Sequence, residues 1–330
     1  MSILKKTLVF SLVLGIILEQ IYVFRYYFKG TSTSEVECSE LSQESTDGAT
    51  IIQSILKRFK LEKASSTTIP PTPKELEEIT PEFLGPYKIF FMIMSDPDSQ
   101  QMRKTLRETW INQLNKNPNL GYKFIIGTGS LTGSKLVHLE IEERENKDVI
   151  LLKDLVDNQL NITLKVLKSY VWAYKNVESE YLLKLQDDSY VIPQNLLKQF
   201  QDYSIPKIQV ILGKFMWKLG VQLDEGERWG EPDWFLCPDS YLPFPRGEGY
   251  LVSWDIVEFI HTFADDFRMY RHDDITMGVW VCGLELKRID SNGIVTDNSG
   301  CDKEAFIFAG LQLSQISEKH HLWNDHMDIC

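Results

Sequence analysis

The chain has 330 residues, enough for one large domain or two small ones, and 43% of them are hydrophobic, which suits a globular core. Its net charge of -12 excludes a broad nucleic-acid-binding surface, so any anionic ligand has to be gathered by a local basic cluster. Five cysteines, Cys38, Cys237, Cys282, Cys301 and Cys330, stand far apart without CxxC spacing, which argues against a zinc cluster.

The first 29 residues depart from the globular average. After Lys5 and Lys6 comes TLVFSLVLGIIL, and extension to Phe28 gives enough length to cross a bilayer, with Glu19 and Gln20 tolerable near an interface. Bulky Arg25, Tyr26, Tyr27 and Phe28 follow in place of a small-residue cleavage site, so the segment reads as an uncleaved transmembrane signal anchor with a short cytosolic tail. Residues 30–86 are rich in Ser, Thr, Pro and acids and cannot bury enough apolar surface to pack, which predicts a stem. Within it Ile51, Ile52, Ile55, Leu56 and Phe59 share one helical stripe, suited to docking on the domain or to pairing chains. In an oxidising lumen Cys38 is the natural odd thiol and could bridge two chains as a homodimer. The sequon at Asn161 fits luminal exposure.

Packed structure is expected from Tyr87 to the end. KIFFMIMS, YKFIIGT, DVILL and YLLKL are apolar runs of strand length. Between them SQQMRKTLRETW, HLEIEERENK and LNITLKVLKSYVWAYKNV have helical spacing, the last with a stripe through Leu164, Leu167, Val171 and Tyr174. Alternation of this kind predicts an α/β fold, a mostly parallel central sheet flanked by helices. YLLKLQDDSYV then puts Asp187 and Asp188 at the carboxyl end of a central strand, where open α/β sheets bind ligands; an ordinary surface turn would also account for two acids there.

Arg103 and Arg107 lie four apart, on one helical face just after the first strand, as a pyrophosphate site would require; on spacing alone a solvated basic face with Glu108 nearby accounts for them better. Asp187 and Asp188 offer hard oxygens suited to Mg2+ or Mn2+. In HDDITMG, Asp273 and Asp274 open an apolar helical stretch, either as caps or with one of them as a general base. Gly247, Gly249 and Tyr250 in GEGY would let backbone approach a sugar beside an aromatic platform, though a lone GxGY is also simply a turn.

These segments occur together and in order. RKTLRETW resembles the RxxxRxTW segment of the β-1,3-glycosyltransferases, glycosyltransferase family 31, and LNITLKVL resembles their NLTxKT. YLLKLQDDSYV is similar to KxDDDxFV, SYLPFPRGEGYLVS to YPxYxxGxGYxxS, and HDDITMG to EDVxxG. The resemblance implies a GT-A-like nucleotide-sugar-binding fold, a UDP-sugar donor, usually Mn2+, and a type II Golgi membrane protein acting on a glycan of a glycoprotein or glycolipid. It implies that Asp188 is the metal ligand, that Asp274 is the base of a single inverting displacement, and that Arg103, Arg107, Asp187 and Asp188 serve the nucleotide side. Gly247, Gly249, Tyr250 and Asp273 would line the donor or acceptor cleft. Gln186 stands in place of the triplet's first acid, Asp273 in place of Glu, and no His precedes His320 where the family commonly carries a metal ligand. The alternatives the resemblance carries are an inactive, chaperone-like relative and a lectin-like binding module.

Overall fold

The computed structural model describes residues 83–202, 204–227, 230–296 and 302–326. The expected anchor, the amphipathic stripe, Cys38, Cys301 and Cys330 lie outside the described residues. Among the described residues no helix is long and apolar enough to cross a membrane, and Cys237 and Cys282 are free thiols.

Strands and helices alternate through the first half. β1 (Leu84–Met94) leads into α1 (Gln100–Glu108) and α2 (Trp110–Leu114), then β2 (Leu120–Gly127), α3 (Gly133–Asn146), β3 (Val149–Leu152), α4 (Ile162–Asn176) and β4 (Val177–Gln186). The second half adds β5 (Tyr190–Val191), α5 (Pro193–Asp202), β6 (Val210–Met216), β7 (Phe244–Ser253), α6 (Trp254–Thr262) and α7 (Asp273–Trp280). It closes with β8 (Lys287–Asp290), β9 (Ile294–Thr296), β10 (Ile307–Ala309) and α8 (Leu313–His326).

The central sheet has seven strands in the order β3-β2-β1-β4-β7-β6-β8, and β5, β10 and β9 form a small second sheet. Every pairing in the central sheet is parallel except the two made by β7, which runs against both β4 and β6. The expected mostly parallel sheet is therefore present, with one reversed strand inserted beside β4. Successive side chains of a strand point to opposite faces. Ile89, Phe91 and Ile93 of β1 accordingly join a core with α1, α2, α5, α8 and the second sheet, while Phe90, Met92 and Met94 join one with α4, α6 and α7. Both faces of the sheet are covered, which is why its strands read as continuous apolar runs instead of alternating ones.

The stripe expected along α4 is rotated. Thr163, Val166, Leu167, Tyr170 and Ala173 are buried, whereas Leu164, Val171 and Tyr174 are only half-buried. Polar residues displace the apolar stripe because the buried Lys165 ammonium donates to the Ser95 carbonyl at 2.7 Å and to Asp157 Oδ2 at 2.6 Å, contacts that tie α4 to the end of β1. Periodicity counts apolar residues and is blind to a lysine that has two partners inside.

Candidate active site

The end of β4 and the adjoining start of β7 bring together four of the expected residues, Asp187, Asp188, Gly247 and, against Gly247, Asp274. Gln186 ends β4 beside Met94, and the Asp187 amide donates to the Met94 carbonyl at 3.0 Å, so both acids leave the sheet where β1 and β4 end together. The Ser95 hydroxyl donates to Asp187 Oδ2 at 2.6 Å and itself accepts from Arg103 Nη1 at 2.9 Å. Burial raises the Asp187 carboxyl above its ordinary range, opposed by hydrogen bonds from Ser95 and Ser99 and by the charges of Arg103 and Lys165. Asp187 is thus fixed from behind by serines and two buried cations.

Asp188 is less well neutralised. Burial and then the charge of Asp187 raise it, and only the Gly310 and Asp188 amides and a more distant Lys184 work in the other direction. Its carbonyl accepts from the Leu311 amide at 2.9 Å, so the turn after β10 closes over it. A half-buried carboxylate at a ligand edge without a cation of its own suits a divalent ion shared with a substrate's phosphates, the way Mg2+ and Mn2+ are commonly held with one or two protein carboxylates. No three His, Cys, Asp or Glu side chains gather as a cage among the described residues. His320 does not supply a ligand, because its Nδ1 lies 3.2 Å from the Tyr190 hydroxyl and its Nε2 3.0 Å from Asn324 Nδ2.

The arginine pair requires correction. Arg103 is fully buried: Nε and Nη2 bind the two oxygens of Glu142 at 2.9 and 2.8 Å, and Nη1 reaches Ser95 Oγ and the Asp96 carbonyl. It acts on the edge only through Ser95 and Asp187. One turn farther along α1, Arg107 binds Glu142 and both oxygens of Asp148, the residue just before β3, which places it toward the amino ends of the strands. A groove of about 710 Å³ beside Arg107, lined by Lys104, His138 and Glu145 among others, belongs to that outer face of α1 and α3. The i,i+4 spacing marked two buried ion pairs and could not disclose their partners, which lie more than 30 residues away. Burial alone would raise the Glu142 carboxyl, but the two guanidiniums outweigh it and hold it below the usual range. Glu142→Gln is expected to lower stability by about 3–5 kcal/mol by leaving the fully buried Arg103 guanidinium without its counter-charge. Urea unfolding of the variant beside the wild type checks this.

Asp273 and Asp274 open α7, where the helix dipole favours carboxylates. They face different ways. Asp273 is turned inward, its Oδ2 2.7 Å from the fully buried ammonium of Lys184 on β4, so it does not line a cleft. Asp274 Oδ1 accepts from the Ile275 amide at 2.8 Å. A Cβ built on Gly247 of β7 would stand 3.5 Å from Asp274 Oδ2, so the half-exposed Gly247 backbone and the base candidate share one spot. Burial first, then the neighbouring Asp273 charge, push the Asp274 carboxyl up to about 7, against the Ile275 amide, Lys184 and His272. Gly249 packs in the interior, where an added Cβ would meet Ile307 Cδ1 at 3.0 Å. Tyr250 is fully buried beneath Lys184, which removes it as an aromatic platform.

Glu231 escaped the sequence reading. It lies 1% exposed in the irregular segment between β6 and β7 and accepts from the Arg271 and His272 amides at 2.8 and 2.7 Å. The ring Nδ1 of His272 is 2.8 Å away as well, so this carboxylate clips the segment onto the start of α7. The same segment leaves Phe235 63% exposed, and Trp217, at the end of β6, is 51% exposed with its indole donating to Asp290 at 3.1 Å. Asn161, the sequon residue, ends a short 3-10 turn before α4, its side chain donating to the Val156 carbonyl at 2.9 Å.

Residues 101–292, more than half of the chain, match the sequence profile described as galactosyltransferase. The chain belongs to the galactosyltransferase family. Its β4 edge, its Gly247 strand and its α7 acids all fall inside the span matched to that family. Among curated relatives, mouse beta-1,3-galactosyltransferase 6 is 27% identical over 243 residues, covering 72% of this chain and 74% of the relative. The UDP-GalNAc:beta-1,3-N-acetylgalactosaminyltransferase 2 of Xenopus laevis is 29% identical over 150 residues, which is 46% of this chain but only 30% of that protein. An Arabidopsis thaliana protein described as probable beta-1,3-galactosyltransferase 12 is 27% identical over 213 residues, 62% of this chain and 56% of the relative. A solved structure, mouse xyloside xylosyltransferase 1 in its apo form, overlaps 68% of this chain and 98% of its own at 12% identity, with a TM-score of 0.37.

Proposed function

We propose that the protein is an inverting β-1,3-hexosyltransferase that moves galactose, GlcNAc or GalNAc from a UDP-sugar to a hydroxyl of a glycan on a glycoprotein or glycolipid. The observation that carries this reading is a juxtaposition on neighbouring strands: Asp187 and Asp188 leave the sheet at the end of β4, and Asp274 stands against Gly247 of β7, the strand paired with β4. An edge of this kind separates a leaving-group side from an attacking side.

Asp274 takes the proton of the acceptor hydroxyl, and the freed oxygen attacks the anomeric carbon while UDP departs. The diphosphate lies toward Asp188 and Asp187, with Gln186 hydrogen-bonding ribose or a bound water. Asp188 would hold Mn2+ or Mg2+, which would supply positive charge to stabilise departing UDP. Ser95, Arg103 and Lys165 hold Asp187 in place from inside. The base stands next to α7 and the Glu231-clipped segment, so the acceptor enters from that side. GT-A-like character, a Golgi type II anchor over residues 1–29, and a Cys38-linked homodimer complete the proposal.

The full-length protein is to be incubated with UDP-galactose, UDP-GlcNAc and UDP-GalNAc plus Mn2+ and a panel of glycan acceptors, with UDP release as the readout. Acceptor-dependent release from one donor is the expected result. Silence with every donor, together with absent metal-dependent UDP binding, would leave the chaperone-like or lectin-like reading in its place. With the active donor, kcat/KM is expected to rise with pH through an ionisation near neutrality, because the base works deprotonated and Asp274 holds its proton to about 7. A rate flat from pH 5.5 to 8 would contradict that assignment.

A further inference from the structure

Lys184 is the one charge within the apolar run Tyr181–Leu185 of β4, and it is fully buried. It points to the face of the sheet covered by α4, α6 and α7, the side on which Leu182 and Tyr250 pack. Buried ion pairs are weak contributors to stability, and apolar replacements of similar volume often do as well or better. A lysine between Leu183 and Leu185 therefore needs another reason, and its partners supply one. The ammonium lies 2.7 Å from Asp273 Oδ2, an ion pair between β4 and the first turn of α7. It also donates to the Gly247 carbonyl at 2.9 Å. Both partners adjoin Asp274: Asp273 precedes it in the chain, and Gly247 is the backbone it stands against.

We propose that the Lys184–Asp273 ion pair is a positioning device that orients Asp274 and sets its charge state for proton abstraction, an inference that rests on Asp274 being the base. Two adjacent buried carboxylates repel, and either one left without a cation takes up a proton. Lys184 pairs with Asp273, and Asp274 beside it exchanges the proton. The Lys184 bond to the Gly247 carbonyl fixes the strand against which the Asp274 carboxylate rests, so orientation and charge have one source.

The groups facing Asp274 are few. On its own helix they are Asp273 and, at the cap, His272, whose ring is held by Glu231. From β4 comes Lys184. From β7 come Tyr250, whose buried hydroxyl is raised well above its ordinary range by burial, then by Tyr170 and by both acids, and the mutually paired Arg246 and Glu248. From α4 comes Tyr170, close enough to feel Asp273. Lys184 is the cation among them that touches the partner acid, which makes it the group whose removal the base would sense.

The experiment compares full-length wild type, Asp273→Asn, Lys184→Met and Asp274→Asn in two readouts. One is the pH dependence of kcat/KM for transfer. The other is direct titration of the Asp274 carboxyl by 13C NMR on Asp-labelled protein, assigned by the signal missing from Asp274→Asn, which requires no turnover. Asp273→Asn removes the neighbouring negative charge and leaves Lys184 facing Asp274, so both the acid limb and the NMR midpoint move down by about one pH unit or more. Lys184→Met removes the cation and moves both up. If Lys184→Met does not fold, the isosteric Asp273→Asn decides alone. Midpoints that stay within 0.2 of wild type in Asp273→Asn, or move up, overturn the proposal. Should Asp274→Asn retain full transfer, the base assignment itself is wrong, a failure distinct from an unmoved midpoint in a protein whose Asp274→Asn variant is inactive.

Discussion

The Asp274→Asn protein is expected to lose transfer by about 10²–10⁴-fold, the usual contribution of a positioned general base, while binding UDP as the wild type does. Asparagine preserves the shape and the acceptor for the Ile275 amide, so the loss isolates proton abstraction. A second consequence follows from the same carboxyl. A buried acid whose folded-state pKa lies above its unfolded value is favoured in its neutral form, so folding stability is lost as pH rises from the unfolded pKa to the folded one, here to about 7. Above neutrality the wild type bears the full cost of a buried charge that the asparagine variant avoids. At pH 8 the variant is therefore expected to melt at a higher temperature than the wild type, with the difference vanishing toward pH 4. Lower activity with equal or lower stability at pH 8 would point to a misfolded site instead of a missing base.

Asp188→Asn is expected to weaken Mn2+-dependent UDP affinity by about 100-fold or more, since loss even of residues that merely support metal ligands commonly costs 10–100-fold. Isothermal titration of UDP with and without Mn2+ separates this from general damage. The metal-free affinity should change little, because Asp187, not Asp188, is held by Ser95, Arg103 and Lys165. An unchanged metal dependence would show that the diphosphate is held by protein groups alone.

The run YLLKLQDDSYV showed in the sequence both a strand and the acids at its end, and strand-helix alternation placed those acids at the sheet's ligand edge. The α7 acids were equally legible, because a pair of carboxylates opening an apolar helix has a local signature. Arg103, Lys165 and Glu231 were misread or missed for a common reason. Each is a buried charge whose partner is distant in sequence: Glu142 for Arg103, the Ser95 carbonyl for Lys165, and the Arg271 and His272 amides for Glu231. Local spacing shows which residues share a face, and it leaves open what that face meets. Tyr250 failed in the opposite direction, since an aromatic next to glycines looks like a platform until the neighbouring strands cover it.

The reversal of β7 also bears on how the chain is made. β4 pairs with β1 on one side, but its other side has no partner until β7 is synthesised, with α5 and β6 in between. At the usual pace of about 5–20 residues per second, that interval lasts several seconds. During it the nascent protein presents an apolar strand edge, the kind of surface that invites pairing with other chains. Lys184 is the one charge in Tyr181–Leu185, the stretch of that edge that β7 later pairs. A residue that the finished protein keeps fully buried would thus first serve as a guard against aggregation, and Lys184→Met would lower the yield of folded chains before any question of turnover arises.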